Sequence, residues 1–191
     1  MRLVLASTSP YRREQLSRLG LPFEVARPEV DETPLLNESP MAQAQRLADA
    51  KARSVGARMR SAWVIGSDQV AEIAGQVLGK PGSFERAADQ LAAASGRSLQ
   101  FHTAVTLLRL TDGTGMHFCD TTTVRFRRLT SAEIERYLHA EQPYDCAGSF
   151  KVERLGVSLF ESIECSDPTA LVGLPLIALC GALRQAGFNL P

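Results

Sequence analysis

Arg12 and Arg13 stand in the first turn of an expected helix, directly after the hydroxyl cluster Ser7, Thr8 and Ser9. A helix N-terminus already carries partial positive charge, so a cation there is disfavoured by roughly 0.3–1 kcal/mol unless an anion joins it. Free backbone N–H groups, hydroxyls and a guanidinium are together what a phosphate requires. The alternative is that both arginines are solvated or pair with Glu14 and its neighbours. Helical phase puts Arg12 on the face of Leu16 and Leu19 and Arg13 about 100° away, which favours Arg12 as the phosphate ligand.

Lys51 interrupts an apolar stripe, Ala44, Leu47, Ala48 and Val55, and is therefore aimed inward. It either snorkels past small residues to water or holds an anion. Asp68 closes the apolar run "VIGSD", where α/β proteins tend to place ligand and catalytic groups; otherwise it caps the following turn. Lys80, held extended by Pro81 in "GKP", is a second cation within reach of such a site, or an ordinary turn lysine. Asp31 and Glu32 in "EVDET" are solvated loop acids or, with Asp68, oxygen donors for a hard divalent cation. Cations that grip a polyphosphate, combined with acids that hold a metal and activate water, describe metal-assisted hydrolysis of a nucleotide.

These residues need elements to position them. "LVLA" reads as a strand leading to a helix with Ser9 as N-cap and Pro10 at its first position, ending near Gly20. "FEVARPEV" and "WVIGSD" read as strands on either side of a helix from about Pro40 to Met59, capped by Ser39. "QVAEIAGQVLGK" predicts a hairpin turning at Ala74 and Gly75, followed by a helix from about Phe84 to Ala94. Two long strands meet through Asp112–Gly115, and Thr130 with Glu133 forms a capping box for a helix to about Ala140. A strand around "GVSLFESI" and a terminal helix entered near Pro175 complete the pattern. Helices alternate with strands while hairpins demand antiparallel pairing, so the expected class is α/β, a twisted mixed sheet flanked by helices.

The chain of 191 residues, 45% of them apolar, can bury a full core as one domain over residues 1–191. Acidic and basic residues balance at 21 each, which argues against a nucleic-acid or membrane-surface partner. Cys119, Cys146, Cys165 and Cys180 lack CxxC spacing and nearby histidine pairs, pointing to reduced thiols and a cytoplasmic protein rather than to zinc. No signal peptide or membrane span is expected from the N-terminal run. His102, His117 and His139 are scattered and read as structural or surface residues. P-loop and dinucleotide-binding glycine patterns are absent, and "CAGSF" around Ser149 resembles a nucleophile elbow only superficially, because G-x-S-x-G is absent.

The segments "LASTSPYRR", "VDET", "RLADAKA", "GSDQV", "GKP", "CAGSFKVERLG" and "DPTALVGLPL", in that order, resemble the Maf-like nucleoside triphosphate pyrophosphatases along essentially the whole chain. The resemblance implies a two-lobed fold with a central cleft, often a homodimer. It also implies cleavage of a nucleoside triphosphate between its α and β phosphates with Mg2+ or Mn2+. On that pattern Asp68 takes the general-base position, Ser7, Arg12, Lys51 and Lys80 the phosphate positions with Arg13 reinforcing them, and Glu32 that of a metal-linked acid beside Asp68. The three substrate-selecting positions hold Tyr11, Gln69 and Glu153, where the dTTP/UTP branch carries arginine, threonine and glutamine; this set is similar to the branch acting on 7-methyl-GTP. An aromatic face attracts the cationic methylated base by roughly 0.5–2 kcal/mol, and a carboxylate accepts from guanine N–H groups. Rival readings are a dTTP/UTP-type pyrophosphatase, a phosphatase using Asp68 as nucleophile, and a nucleotide-binding regulator of cell division without turnover.

Overall fold

The computed structural model describes residues 1–191. Seven strands, β1 (Leu3–Ala6), β2 (Glu24–Ala26), β3 (Trp63–Ile73), β4 (Gln76–Leu78), β5 (Ser98–Arg109), β6 (Thr114–Phe126) and β7 (Phe160–Glu164), form one sheet in the order β2-β1-β3-β5-β6-β7, with β4 paired to β3, and five helices flank it. Strand β1 pairs in parallel with both β2 and β3, whereas β4 runs antiparallel to β3. The sheet is therefore mixed, as the alternation of helices with hairpins requires. Strands β3, β5 and β6 each contribute residues to two compact units.

The first unit comprises Met1–Gln69, His102–Asp120 and Asp167–Pro191. Strand side chains alternate between faces, so β1 seeds two cores. Leu3 and Leu5 join Leu16 of helix α1 (Pro10–Ser17) and Leu179 and Leu183 of helix α5 (Leu176–Gln185). Val4 and Ala6 belong to a second cluster with Ala52 and Val55 of helix α2 (Pro40–Arg58). An apolar strand buried on both faces is what a central parallel strand must be. Ser9 and Ser39 cap α1 and α2, each followed by proline at the first helical position.

The second unit comprises Val70–Phe101 and Thr121–Ser166. Its hairpin turns at Ala74 and Gly75, both with positive φ (49° and 82°), the backbone that a two-residue turn needs to match strand twist. Helices α3 (Phe84–Ala94) and α4 (Ser131–Glu141) lie in this unit, and Thr130 and Glu133 form the expected reciprocal capping box. Phe101, Phe126, Phe150 and Phe160 pack edge to face, with ring centroids 4.8–5.7 Å apart.

Three boundaries differ from expectation. Strand β2 stops at Ala26 because its partner β1 ends at Ala6, which leaves "RPEV" without a ladder. Helix α1 gives way after Ser17 to tight i to i−3 bonds that carry the chain to Gly20. Leu155–Leu159 coils into a 3-10 turn, and the strand β7 (Phe160–Glu164) begins only after it. None of the four cysteines forms a disulfide, and no helix is long and apolar enough to cross a membrane.

Candidate active site

Helix α2 approaches β3 so closely that a Cβ on Gly66 would lie 2.2 Å from the Ala48 carbonyl oxygen and 2.6 Å from the Ala52 nitrogen. Only glycine allows that contact, the usual meaning of a glycine inside a strand. It brings Lys51, one turn beyond Ala48, alongside Asp68, two residues beyond Gly66. The Lys51 Nζ lies 2.6 Å from Asp68 Oδ1 and 2.7 Å from Glu32 Oε1. Lys51 and Asp68 are buried, whereas the Glu32 side chain is 61% exposed. Lys51 therefore does not snorkel to water; it is the buried bridge between two carboxylates. Removing one member of such a pair strands a charge, at a cost of about 3–5 kcal/mol.

Arg12 turns toward the same group. Its Nε donates to the Gly173 carbonyl at 3.0 Å, and Ser67 Oγ donates to that oxygen at 2.9 Å. Gly173 has φ 119°, and a Cβ there would meet Arg12 Nε at 3.2 Å, so this turn suits glycine on both counts. Burial lowers the Arg12 pKa from its ordinary value, while Asp68 and Glu32 act in the opposite direction. Arg12 thus lies within the electrostatic reach of both acids. Arg13 is exposed and lines a cavity of about 470 Å³ with Ser7, Thr8, Ser9 and Glu14. Ser7 is buried and its Oγ accepts the Ser9 amide at 3.1 Å.

Several supporting residues were not singled out from the sequence. Gln15 Nε2 donates to the Thr169 carbonyl at 2.7 Å. The buried Asp167 carboxylate accepts the Thr169 amide at 2.9 Å and the Ile177 amide at 2.6 Å, which caps α5 and fixes the turn leading to Gly173. "DPT" ahead of an apolar helix and the glycine of "VIGSD" were the available signals. Gln69 uses its amide nitrogen internally, 2.9 Å from Thr103 Oγ1 and 3.1 Å from the carbonyls of Ala170 and Leu171. Tyr11 is half-buried on α1.

Lys80 and Glu153 belong to the second unit, and both are exposed. Lys80 follows β4, next to Gly79, whose carbonyl accepts Gln90 Nε2 at 2.9 Å. Glu153 rides on a loop closed by the amides of Arg154 and Gly156, which donate to the Lys151 carbonyl at 3.3 and 3.1 Å. Tyr137, buried beside this loop, has its phenol pKa raised by burial, with Glu141 and Glu153 adding to the effect. Of the histidines, His102 is buried, His117 meets Thr106 Oγ1 at 3.0 Å, and His139 packs on Phe84. None belongs to the Asp68 cluster.

The cluster of Arg12, Lys51, Glu32 and Asp68 can hold a phosphate on its cations and accept a proton on its buried carboxylate. No group of three His, Cys, Asp or Glu side chains gathers anywhere in the chain, and Asp31 instead accepts the Thr33 amide at 2.9 Å. Glu32 and Asp68 nonetheless converge on one cationic point. Two hard oxygen donors, completed by water and substrate phosphates, suit a magnesium-type ion.

The chain is 60% identical over 190 residues to the "7-methyl-GTP pyrophosphatase" of Xanthomonas oryzae pv. oryzae (strain MAFF 311018), covering 100% of this chain and 99% of that protein. It is 53% identical to the protein of the same name from Nitrosococcus oceani, covering 97% of this chain and 94% of that one. Among solved structures, the Staphylococcus aureus Ham1 protein matches with a TM-score of 0.57 at 14% identity over 98% of this chain and 100% of that one, a likeness of fold. The model of the family described as Maf-like protein matches residues 2–186, and the chain belongs to that family.

Proposed function

We propose that this chain is a nucleoside triphosphate pyrophosphatase that hydrolyses 7-methyl-GTP to 7-methyl-GMP and pyrophosphate, acting as one domain over residues 1–191. The observation that carries the reading of the site is the buried Asp68 carboxylate held 2.6 Å from Lys51 Nζ, with Glu32 on the same ammonium and Arg12 close by. The full-length likeness to proteins named for that substrate supports the choice of nucleotide.

In this mechanism the triphosphate competes with the carboxylates for Lys51 and Arg12, and as Lys51 turns to phosphate, Asp68 is released to act as a base. Asp68 takes a proton from a water whose oxygen bonds to the α phosphorus. The bond from that phosphorus to the bridging oxygen breaks, and its electron pair leaves with pyrophosphate. Ser7, Arg13 and Lys80 add to phosphate binding. Tyr11, Gln69 and Glu153 select the base, Tyr11 offering a π face to the cationic methylguanine and Glu153 accepting from its N–H groups. Gln69 acts through its amide oxygen, its NH2 group being engaged internally. Glu32 and Asp68 are the residues that would hold a divalent cation, Mg2+ or Mn2+, which when bound offsets phosphate charge. A cytoplasmic setting and a homodimer accompany this reading.

Incubation with 7-methyl-GTP, GTP, UTP and dTTP plus Mg2+ or Mn2+, with products separated by chromatography, tests it. Monophosphate and pyrophosphate should form preferentially from 7-methyl-GTP. Asp68→Asn should keep the fold by circular dichroism and lose roughly 10²- to 10⁴-fold in turnover, the usual worth of general-base help. Near-normal turnover in that variant defeats the role of Asp68; preference for UTP or dTTP moves the chain to the other branch. Release of orthophosphate would favour the phosphatase reading, and tight binding without turnover the regulator.

A further inference from the structure

The loop carrying Glu153 is fastened to the last turns of α4 by several contacts with no part in its own closure. The Lys151 amide donates to Tyr137 Oη at 3.0 Å, Lys151 Nζ donates to the Glu141 carbonyl at 3.1 Å, and the Leu155 amide donates to Glu141 Oε1 at 3.1 Å. Arg154 Nη1 stands 3.9 Å from Glu141 Oε2, an oxygen that is buried and has no hydrogen-bond partner. At the far end, a Cβ on Gly156 would lie 2.3 Å from the Lys151 carbonyl oxygen, so the ring from Lys151 to Gly156 closes only around glycine. Tyr137 is 3% exposed and Glu153 is exposed at the tip. A short ring pinned at its base and free at its tip holds one side chain at a set position, and loops that bind ligands are commonly built in this way on rigid elements.

We infer that Tyr137 is a positioning residue for base selection: by accepting the Lys151 amide it fixes the loop that presents Glu153 to the guanine edge. This rests on the reading of Glu153 as the base-selecting carboxylate. Tyr137 acts through the loop, so its removal should weaken recognition of the base while leaving the chemistry at Asp68 intact. The hydroxyl is the operative group, since phenylalanine keeps the ring in its place.

The test measures kcat and KM on 7-methyl-GTP and on UTP for the wild type, Tyr137→Phe, Glu153→Gln and the double variant. Glu153→Gln should abolish most of the preference for 7-methyl-GTP. Tyr137→Phe should lower the ratio of kcat/KM values about three- to tenfold, chiefly through KM for 7-methyl-GTP, with kcat on UTP unchanged, the scale of one lost hydrogen bond. The double variant should match Glu153→Gln alone, because the two act in series. Gly156→Ala, which strains the ring without touching α4, should lower the same ratio and serves if Tyr137→Phe fails to fold. If Glu153→Gln loses the preference while folded Tyr137→Phe or Gly156→Ala keeps it, the inference falls and the reading of Glu153 stands. If Glu153→Gln keeps the preference, both fall.

Discussion

Helices α1 and α4 both open on a hydroxyl N-cap, Ser9 and Thr130, yet the turns that follow are built in opposite senses. In α4 the Glu133 carboxylate accepts the Thr130 amide at 2.8 Å, so an acid of the helix itself answers the positive end of the dipole. The first turn of α1 contains no acid and two arginines, although its Ser9 hydroxyl accepts the Arg12 amide at 3.4 Å much as Thr130 accepts the Glu133 amide at 3.3 Å. The α4 terminus is answered by an acid of its own first turn, whereas no acid of the α1 first turn answers Arg12 and Arg13. The contrast teaches that a poor local electrostatic choice is informative when a comparable element of the same chain makes the good one.

Substitutions at α1 should therefore alter turnover more than stability, and those at α4 the reverse. Between these two helices the larger effect is expected at Arg12. Arg12→Ala should lower kcat/KM by about ten- to a hundredfold, the range for losing a contact made by a charged group. Steady-state kinetics beside a thermal melt measures both sides of that contrast, and equal damage to melt and rate would erase it. At α4, Thr130→Ala should lower unfolding free energy by about 0.5–2 kcal/mol in a denaturant titration, with kcat/KM unchanged. A fall in turnover there would show that α4's cap is not purely structural.

The smallest effect follows from pH. Bonds from the Thr130 amide and hydroxyl hold the Glu133 pKa down, from 4.5 to about 2, with Arg127 assisting. The folded carboxylate thus binds its proton more weakly than the unfolded one, so its contribution is complete above about pH 4.5 and disappears as pH falls toward 2. The stability gap between wild type and Glu133→Gln should close across that window when followed by chemical denaturation. A gap that stays constant down to the acid end would mean that the capping bond does not depend on the charge.

Legibility in the sequence followed the range of the interactions. Strand β1, helices α2 and α3, the Ala74–Gly75 hairpin and the Thr130–Glu133 box are written in adjacent residues, and each lies where periodicity and caps put it. "GVSL" misled because its apolar residues suit a strand, while the Gly156 amide finds an acceptor five residues back at the Lys151 carbonyl. The inward aim of Lys51 was visible in the α2 stripe. Its partners were not, since Asp68 is 17 residues away on another element and Glu32 lies in a loop. Likewise nothing near Arg12 announces Gly173, 161 residues on, as the acceptor of its Nε–H.

The absence of room at Gly66 has a consequence for folding. Ala48 and Ala52 touch β3 at that point, and Lys51 meets Asp68 from the same face of α2. A slip of α2 by one residue rotates each side chain about 100°, driving a larger neighbour against the strand and turning Lys51 away. The error would leave the Asp68 charge buried and unmatched, at a cost of about 3–5 kcal/mol, whereas a greasy pair at the same two positions would tolerate sliding. Lys51 and Asp68 therefore also serve as a registry mark, through which the chain checks that α2 has been threaded onto its sheet at the right residue.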